Sequence, residues 1–230
     1  MGLYIEALIR TDPERLWQRT QEPAQHQRWD LRFTEISHLP GLAGSAQRFR
    51  YATRVLPFLT VAGTGTSAGE RHREDGERVS ALRFASSEKL SPLSEGSGYW
   101  RYVPTADGIR FLTGYDYRTR WGRFGTVADR LVFRPLMGWA TAWSFDRLRL
   151  WCERDVSPAR SLTHALAEVL ARILVVAVAL PFGPAAVLPA ALAALLVPPS
   201  PLTPAARRCL RTPPGRPAAT PSLLARLERP

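Results

Sequence analysis

The sequence predicts an α+β domain in which a curved antiparallel sheet wraps around one long C-terminal helix. Three observations predict it: a helical pattern over residues 134–154 that carries three tryptophans, a series of alternating strands before it, and two short helical segments after the first strand. The composition then changes, and we expect three regions. Residues 1–157 form the α+β domain, residues 158–198 a hydrophobic helical hairpin, and residues 199–230 a disordered basic tail rich in proline, alanine and arginine.

The segment from Arg134 to Arg154 has the pattern of an amphipathic helix with a large apolar face. Pro135 fits the first turn, where a missing N–H group removes no helical hydrogen bond. At about 100° per residue, charged side chains collect on one side and apolar side chains in one broad sector. The apolar sector contains Leu136, Trp139, Ala140, Trp143, Leu150 and Trp151.

Arg147 is the exception, because its angle places a cation inside the apolar sector, one turn beyond Trp143. In one interpretation its side chain lies along the helix and ends in solvent or on a structural carboxylate. In the other, the guanidinium stands at the mouth or floor of an apolar pocket and meets a polar or anionic group of a ligand. The second interpretation makes Arg147 a candidate ligand-binding residue.

The first thirty residues predict a strand followed by two short helices. Residues 2–10 alternate between apolar and polar side chains, which is the period of a half-buried strand. Asp12-Pro13-Glu14 then begins a helix, with Asp12 as its N-cap. A second helical piece over residues 23–28 ends at Trp29-Asp30.

From Leu31 onward the pattern is typical of antiparallel strands separated by turns. Asp75-Gly76 and Asp107-Gly108 are dipeptides that favour tight hairpins. Residues 89–97 read as a polar loop, and residues 122–133 as a helix that leads into the long one. We expect the strands over residues 31–39, 47–56, 58–71, 77–86, 98–104 and 109–121.

One of these strands has an inward face that favours a cavity wall. A fully packed sheet carries mainly valine, isoleucine and leucine, whereas this face combines aromatic rings with hydroxyl groups. Buried tyrosine needs a partner for its hydroxyl, which a partly hydrated cavity supplies. An ordinary aromatic core with hydroxyls at its rim is the alternative. The residues of this face are Ile109, Phe111, Thr113, Tyr115 and Tyr117.

The strand over residues 47–56 also alternates, with one face toward solvent and the other away from it. Phe49, Tyr51, Thr53 and Val55 face one way, and Arg48, Arg50 and Arg54 face the other.

This order of elements is that of the helix-grip fold, and the chain resembles the START/Bet v1-like superfamily, also called SRPBCC or polyketide cyclase and lipid-transport proteins. The resemblance covers about residues 1–155. It rests on the first strand followed by Asp12-Pro13-Glu14-Arg15-Leu16-Trp17, on Trp29-Asp30, on the strand series, and on Trp139 to Trp151.

The resemblance implies an apolar ligand, such as a lipid, sterol or polyketide, in a cavity between the sheet and the long helix. It does not identify the ligand. The residues expected to contact the ligand are Trp29, Phe49, Tyr51, Phe111, Tyr115, Tyr117, Trp139, Trp143 and Arg147.

The segment that follows Ser157-Pro158 predicts a membrane anchor over residues 162–197. Residues 173–197 carry no charged side chain, which is long enough to span a bilayer as one helix. Prolines and a glycine interrupt this stretch, so we expect two helices, 162–180 and 185–197, with a bend between them.

Three arrangements of this segment compete. A hairpin leaves Arg160 and the arginines of the tail on the cytoplasmic side, in keeping with the retention of basic segments there, and is favoured. A kinked single span would carry the basic tail across the membrane. A soluble alternative folds both helices over the domain as a lid.

The charge and cysteine content exclude several classes of function. The net charge of +11 is carried by arginine, with Lys89 as the only lysine, and the arginines form no stripe, so no nucleic-acid partner is expected. Cys152 and Cys209 provide no disulfide framework, which favours a reducing compartment. Gly63-Thr64-Gly65 lacks the spacing of a dinucleotide fingerprint and is interpreted as strand glycine.

The sequence shows no zinc-ligand spacing and no nucleophile elbow, so we expect no catalytic residue, metal or cofactor. The favoured function is binding or transport of a hydrophobic small molecule by a domain tethered to the cytoplasmic face of the cell membrane. The alternative is a polyketide cyclase or aromatase in which Arg147, Tyr115 and Tyr117 orient enolates. A third possibility is an interaction module without a ligand, if side chains fill the cavity.

Overall fold

The structure is a computed structural model that describes residues 2–40, 46–56, 59–69, 76–88, 91–215 and 220–227. Within these residues the strands form one curved, seven-stranded antiparallel sheet. The strands are β1 (Leu3–Ile9), β2 (Glu35–His38), β3 (Gln47–Leu56), β4 (Leu59–Gly69), β5 (Arg78–Ala85), β6 (Leu93–Thr105) and β7 (Gly108–Thr119).

The strand order is β1-β7-β6-β5-β4-β3-β2, so the first and last strands of the chain are neighbours and every other neighbour pair is consecutive in sequence. The predicted turn at Asp107-Gly108 is confirmed, with a φ of 137° at Gly108. Gly76 also has a left-handed backbone, with a φ of 80°, whereas Asp75 lies outside the described residues.

Two strand boundaries differ from the prediction. β2 begins at Glu35 and not at Leu31, because the Asp30 carboxylate accepts a hydrogen bond from the backbone N–H of Arg32 and holds a turn there. β6 begins at Leu93, inside the predicted loop. Residues 93–97 extend the strand because β7 supplies partners from Leu93 onward and β5 supplies them from Glu95 onward.

The helices frame the sheet at both ends of the domain. Between β1 and β2 lie two short helices, and the predicted N-cap is confirmed, since the Asp12 carboxylate accepts from the backbone N–H groups of Glu14 (2.9 Å) and Arg15 (3.0 Å). The helices are α1 (Pro13–Gln21), α2 (Pro23–Trp29), α3 (Gly122–Ala128), α4 (Arg134–Arg154), α5 (Pro158–Ala179), α6 (Pro184–Leu196) and α7 (Ser222–Arg226). A π-helical turn, Asp129–Phe133, joins α3 to α4, and 3₁₀ turns cover Leu180–Phe182 and Ala206–Arg208.

The core lies where α4 packs on β1 and β7. Phe145 of α4 is fully buried and stacks on Phe111 of β7, with the ring centroids 4.5 Å apart. Trp29 meets the edge of Phe145 at 6.1 Å and donates its indole N–H to the carbonyl of Arg19 at 2.8 Å. The long helix predicted over residues 134–154 is therefore confirmed, together with its position against the sheet.

The hydrophobic segment forms two helices that contact each other. Arg172 of α5 donates to the carbonyls of Ala194 and Val197 at the end of α6, the latter at 2.9 Å. Only Pro158 and Ser161 of α5 are buried, so the hairpin projects from the domain and does not cover it as a lid. Among the described residues, Pro158–Phe182 is the helical stretch with the length and composition to cross a membrane.

The tail differs from the expected disordered chain over residues 199–211. The backbone of Leu210 exchanges two hydrogen bonds of 2.9 Å with Glu6 on the outer edge of β1. The Asp146 carboxylate of α4, which is 1% exposed, accepts from the backbone N–H of Ala205 at 2.7 Å and from Arg208 at 2.9 Å. These partners of a buried carboxylate and of an unpaired strand edge are what order the tail.

We expect Phe145→Ala to lower the free energy of unfolding by about 3–5 kcal/mol, because it opens a cavity in the packed aromatic core. Phe124→Ala is the matched control, since Phe124 is 73% exposed, and its effect should stay within about 0.5 kcal/mol. Denaturant titration of both full-length variants in detergent measures the difference. Equal destabilisation by the two substitutions would contradict this position of the core.

Candidate ligand-binding cavity

A cavity of about 220 Å³ remains between the sheet, the α2–β2 turn and the start of α4. It lies beside the packed core, and its walls come from β3, β4, β5, β6 and β7. Its lining is mainly apolar, as in sites for small hydrophobic molecules. The large side chains of the wall include Phe33, Phe49, Tyr51, Phe84, Tyr115, Phe133 and Met137.

Cross-strand pairs of an aromatic residue with a glycine form one wall of this cavity. Tyr51 lies opposite Gly63, and Phe49 lies opposite Gly65. A Cβ atom at either glycine would overlap ring atoms of its partner, so the rings lie against the bare backbone of β4. Gly63 and Gly65 are therefore strand glycines, as predicted, and they let large rings lie flat where side chains would otherwise fill the space.

A charged cluster lies at the end of the cavity next to α2. Arg32 lines the cavity and donates from Nε (2.9 Å) and Nη2 (2.6 Å) to the Asp30 carboxylate. The Nε2 atom of His26 lies 3.1 Å from the same carboxylate. The backbone N–H of Leu31 donates to the hydroxyl of Ser144 on α4 at 2.9 Å, which anchors the turn that carries Arg32.

The environment fixes the ionisation of this cluster. Burial raises the pKa of the Asp30 carboxyl, but Arg32 and His26 outweigh burial and hold that pKa well below its usual range. Burial lowers the pKa of Arg32, and the ion pair with Asp30 more than restores it. Burial also lowers the pKa of His26 by more than Asp30 raises it, so His26 is neutral at pH 7. The cluster presents a compensated ion pair and a neutral imidazole to the cavity.

Two tyrosines add hydroxyl groups to the wall. The Tyr115 hydroxyl lies 3.1 Å from the hydroxyl of Thr141 on α4, and the Arg32 guanidinium stands 5.6 Å from the centroid of its ring. Burial, with a smaller contribution from Glu88, raises the pKa of Tyr51 to about 12. The Tyr51 hydroxyl is therefore protonated at neutral pH. Both hydroxyls are hydrogen-bonding groups in an apolar space.

Of the residues expected to contact a ligand, Phe49, Tyr51 and Tyr115 line the cavity. Trp29 and Phe111 belong to the packed core beside it. The Tyr117 hydroxyl instead donates to Asp129 at 2.6 Å, which ties β7 to the π-helical turn.

The tryptophans of α4 do not line the cavity either. Trp139 is 44% exposed and stacks on Trp143 with a centroid distance of 6.3 Å. Trp143 itself is buried in the core cluster. The apolar sector predicted for α4 is only partly correct: Trp143, Leu150 and Trp151 are buried, but Leu136 and Trp139 are exposed, and Asp146 of the predicted polar side is buried. Phe133 and Met137 supply the helical side of the cavity.

Arg147 is buried but does not line the cavity. Its Nη2 atom donates to the carbonyl of Pro158 at 2.8 Å, its Nη1 atom approaches the carbonyl of Trp29 at 3.4 Å, and its guanidinium lies 5.1 Å from the Trp143 ring centroid. Burial lowers the pKa of Arg147 to about 10, so it stays charged at neutral pH. Its partners are backbone carbonyls. The guanidinium therefore ends neither on a carboxylate nor at the opening of a pocket, as the two interpretations of the sequence had it.

His26 and Arg32, two polar residues of the cavity, were not predicted from the sequence. They lie on a short helix and in a turn, where periodicity assigns no face. Phe84 was also missed, although its place on an alternating strand opposite Gly96 is a usable signal. Among the described residues no group of three or more His, Cys, Asp or Glu side chains is arranged to bind a metal ion.

We expect the free energy of unfolding to fall as the pH drops from 7 to 5, because His26 takes up a proton near pH 6.5 only in the unfolded chain. One proton gives a slope of at most about 1.4 kcal/mol per pH unit. His26→Gln should flatten this slope, and His38→Gln, which alters an exposed histidine, should not. Urea titrations at several pH values measure the slopes, and identical slopes for both variants would contradict the neutral state of His26.

No family model matches the chain. A curated relative, the uncharacterized membrane protein YndG of Bacillus subtilis (strain 168), is 45% identical over 168 residues, which is 73% of this chain. The chain spans 63% of the length of that relative.

Solved structures share the architecture at low sequence identity. The di-domain ARO/CYC StfQ from the steffimycin biosynthetic pathway is 13% identical, with a TM-score of 0.52 over 67% of this chain and 51% of that protein. A STAR-related lipid transfer protein from Xanthomonas axonopodis is 14% identical, with a TM-score of 0.45 over 65% of this chain and 84% of that fragment. The likeness to the first of these concerns the fold alone, and together with the sheet order and the long C-terminal helix of this chain it identifies a START/Bet v1-like helix-grip fold.

Proposed function

We propose that this protein binds or transports a hydrophobic small molecule, lipid-like or polyketide-like, in the cavity between its sheet and α4, while the α5–α6 hairpin tethers it to a membrane. The observation that carries the proposal is the cavity itself. Side chains pack the core beside it but leave about 220 Å³ open. A domain that served only as an interaction module would have no need of that space.

The chemistry of the walls favours a ligand that is largely apolar and uncharged. Arg32 is the cation that lines the cavity, and Asp30 already compensates it through two hydrogen bonds. An anionic group would have to compete with Asp30 for the guanidinium, whereas a carbonyl or hydroxyl group could bond to His26 or Tyr51 without disturbing the pair. Burial of a few hundred Å² of apolar surface, at roughly 25 cal/mol per Å², supplies the driving force.

We expect Val61→Phe to remove ligand that co-purifies with the full-length chain, because Val61 lines the cavity and the added ring occupies it. Thr60→Phe adds the same ring one residue earlier, on the exposed face of β4, and should retain the ligand. Native mass spectrometry after detergent extraction measures the bound mass. Wild-type protein with no bound hydrophobic molecule, or equal occupancy in both variants, would count against the proposal.

The hairpin supports the tether through its exposed apolar surface. Apolar side chains are exposed along α5, among them Leu170, Ile173, Leu174 and Val178. Exposure of so large an apolar surface to water is unfavourable and is typical of a surface that contacts lipid or protein. The relative YndG is described as a membrane protein, and that name supports the same proposal. Arginines flank the hairpin at both ends, so we place the domain on the cytoplasmic face.

Full-length protein should stay in the membrane pellet after a carbonate wash. The double variant Leu174→Asp, Val178→Asp should move to the supernatant, since each carboxylate enters the hydrocarbon, where the cost rises with depth to about 2.5–3.5 kcal/mol at the centre of a bilayer. The control Leu31→Asp changes an exposed leucine of the domain and should remain in the pellet. Recovery of the wild-type chain in the wash would defeat the tether.

A polyketide cyclase-like reaction is the second candidate function, and the observation that favours it is the polar cluster in the cavity. Arg32, His26 and the Tyr115 hydroxyl could orient a carbonyl or enolate within one apolar space. This role would fall to Arg32 and not to Arg147, whose partners lie outside the cavity. Turnover of a poly-β-ketone by wild-type protein but not by Tyr115→Phe would support an enzyme over a carrier.

A further inference from the structure

We infer that residues 173–197 form a re-entrant hairpin that enters one leaflet of a lipid bilayer and returns on the same side, with the Glu168–Arg172 pair at the membrane surface. The inference rests on the proposed membrane tether and adds the depth and topology of insertion. Three observations carry it: where the two ends of the hairpin are held, how long its uncharged part is, and where its charges lie.

Both ends of the hairpin are attached to the same helix of the domain, α4. At its start, the carbonyl of Pro158 accepts from Arg147 of α4. At its end, Arg208 bonds to Asp146, the neighbouring residue of α4, and Leu210 pairs with β1. A chain that crossed the bilayer once could not dock on the domain at both ends. The contacts therefore exclude a single span as long as the tail remains docked.

Neither uncharged arm of the hairpin is long enough to cross a bilayer core. Residues 173–182 lead from Arg172 to the bend, and at 1.5 Å per residue they extend about 15 Å. The returning helix α6 has 13 residues, or about 20 Å. The hydrocarbon core of a bilayer is about 30 Å thick, so the shorter arm reaches about its middle. The longer arm meets the shorter one at the bend and reaches the same depth when it tilts.

Charged side chains mark the level where the hairpin leaves the lipid. Arg172 pairs with Glu168 one turn earlier and donates to carbonyls at the end of α6, which have no helical partner. The second Glu168 oxygen accepts from the backbone N–H of Ser200 at 3.1 Å. The ends of both arms are thus bonded together at one level, and residues beyond it have only apolar side chains.

Lipid fits this surface better than a second copy of the chain. On α5 the exposed apolar side chains cover more than one face, because Val169, Leu170, Val175 and Val178 point in widely different directions at 100° per residue, whereas a dimer contact would need one face only. Phe182 at the bend is 73% exposed, which suits the deepest point of an insertion. The flanking arginines complement anionic headgroups.

Cysteine accessibility in sealed vesicles of phosphatidylcholine and phosphatidylglycerol tests the inference with the full-length chain. Phe182→Cys probes the bend, and Leu166→Cys probes an equally exposed apolar position before Glu168. We expect a membrane-impermeant maleimide to label Leu166→Cys from the outside, and labelling of Phe182→Cys to be lost from both the outside and the lumen. Labelling after denaturation gives the total thiol.

Wild-type protein is the background control, because Cys152 and Cys209 are buried and burial raises the pKa of both thiols. Labelling of Phe182→Cys from the lumen would overturn the one-leaflet depth while leaving the tether intact. Labelling from the outside would show a hairpin that lies on the surface or in a protein dimer, and would also overturn it. Failure of the chain to float with vesicles would overturn the insertion and the tether together, without bearing on ligand in the cavity.

Discussion

The stacking of Phe145 on Phe111 sets the arrangement of the whole domain. This contact, with Trp29 against its edge, fixes α4 to the sheet near β1 and β7. The strands from β3 to β5 curve over the same face, and among the described residues no aromatic ring of α4 stacks on a ring of these strands. Space therefore remains at that end, and Phe133 and Met137 close it only in part. The space between the sheet and α4 is therefore packed at one end and open at the other, because the aromatic residues of α4 make their contacts at one end only.

The open half depends on the cross-strand pairs of aromatic residues with glycine. In a sheet of branched aliphatic residues, side chains from adjacent strands would meet above the backbone and fill the gap. Here Phe49 and Tyr51 lie against the bare backbone of Gly65 and Gly63. The rings therefore form an aromatic wall but project little toward α4. The wall is therefore both aromatic and set back from α4, which suits a flat or chain-like apolar ligand in the function proposed above.

Much of the fold could be predicted because its signals are local. The period of β1, β3 and β7, the Asp12 cap and the Asp107-Gly108 turn each specify an element, and their order predicts the architecture. Within the site, Phe49, Tyr51 and Tyr115 could be predicted because strand alternation assigns them a face. Arg147 shows the limit of this reasoning, since an angle on a helix gives a direction but not the group that lies there.

The remaining features depend on contacts between distant parts of the chain. His26 and Arg32 become cavity residues because the α2–β2 turn is anchored to Ser144 on α4, more than a hundred residues away. The composition of the tail is typical of disorder, yet the buried carboxylate of Asp146 requires donors that only the folded chain brings near. Neither the anchored turn nor the docked tail can be predicted from residue propensity or composition.

The docked tail also determines how a water-soluble form of this protein could be made. Truncation at the apparent domain boundary near residue 157 would leave Asp146 without two of its donors and uncover the rim of β1, so the shortened chain would invite self-association. The bonds from Arg172 to the carbonyls of Ala194 and Val197 show that the two arms already meet there. A variant in which a short linker replaces residues 173–193 would lose the apolar arms. It would keep the pairing of Leu210 with β1 and the donors of Asp146.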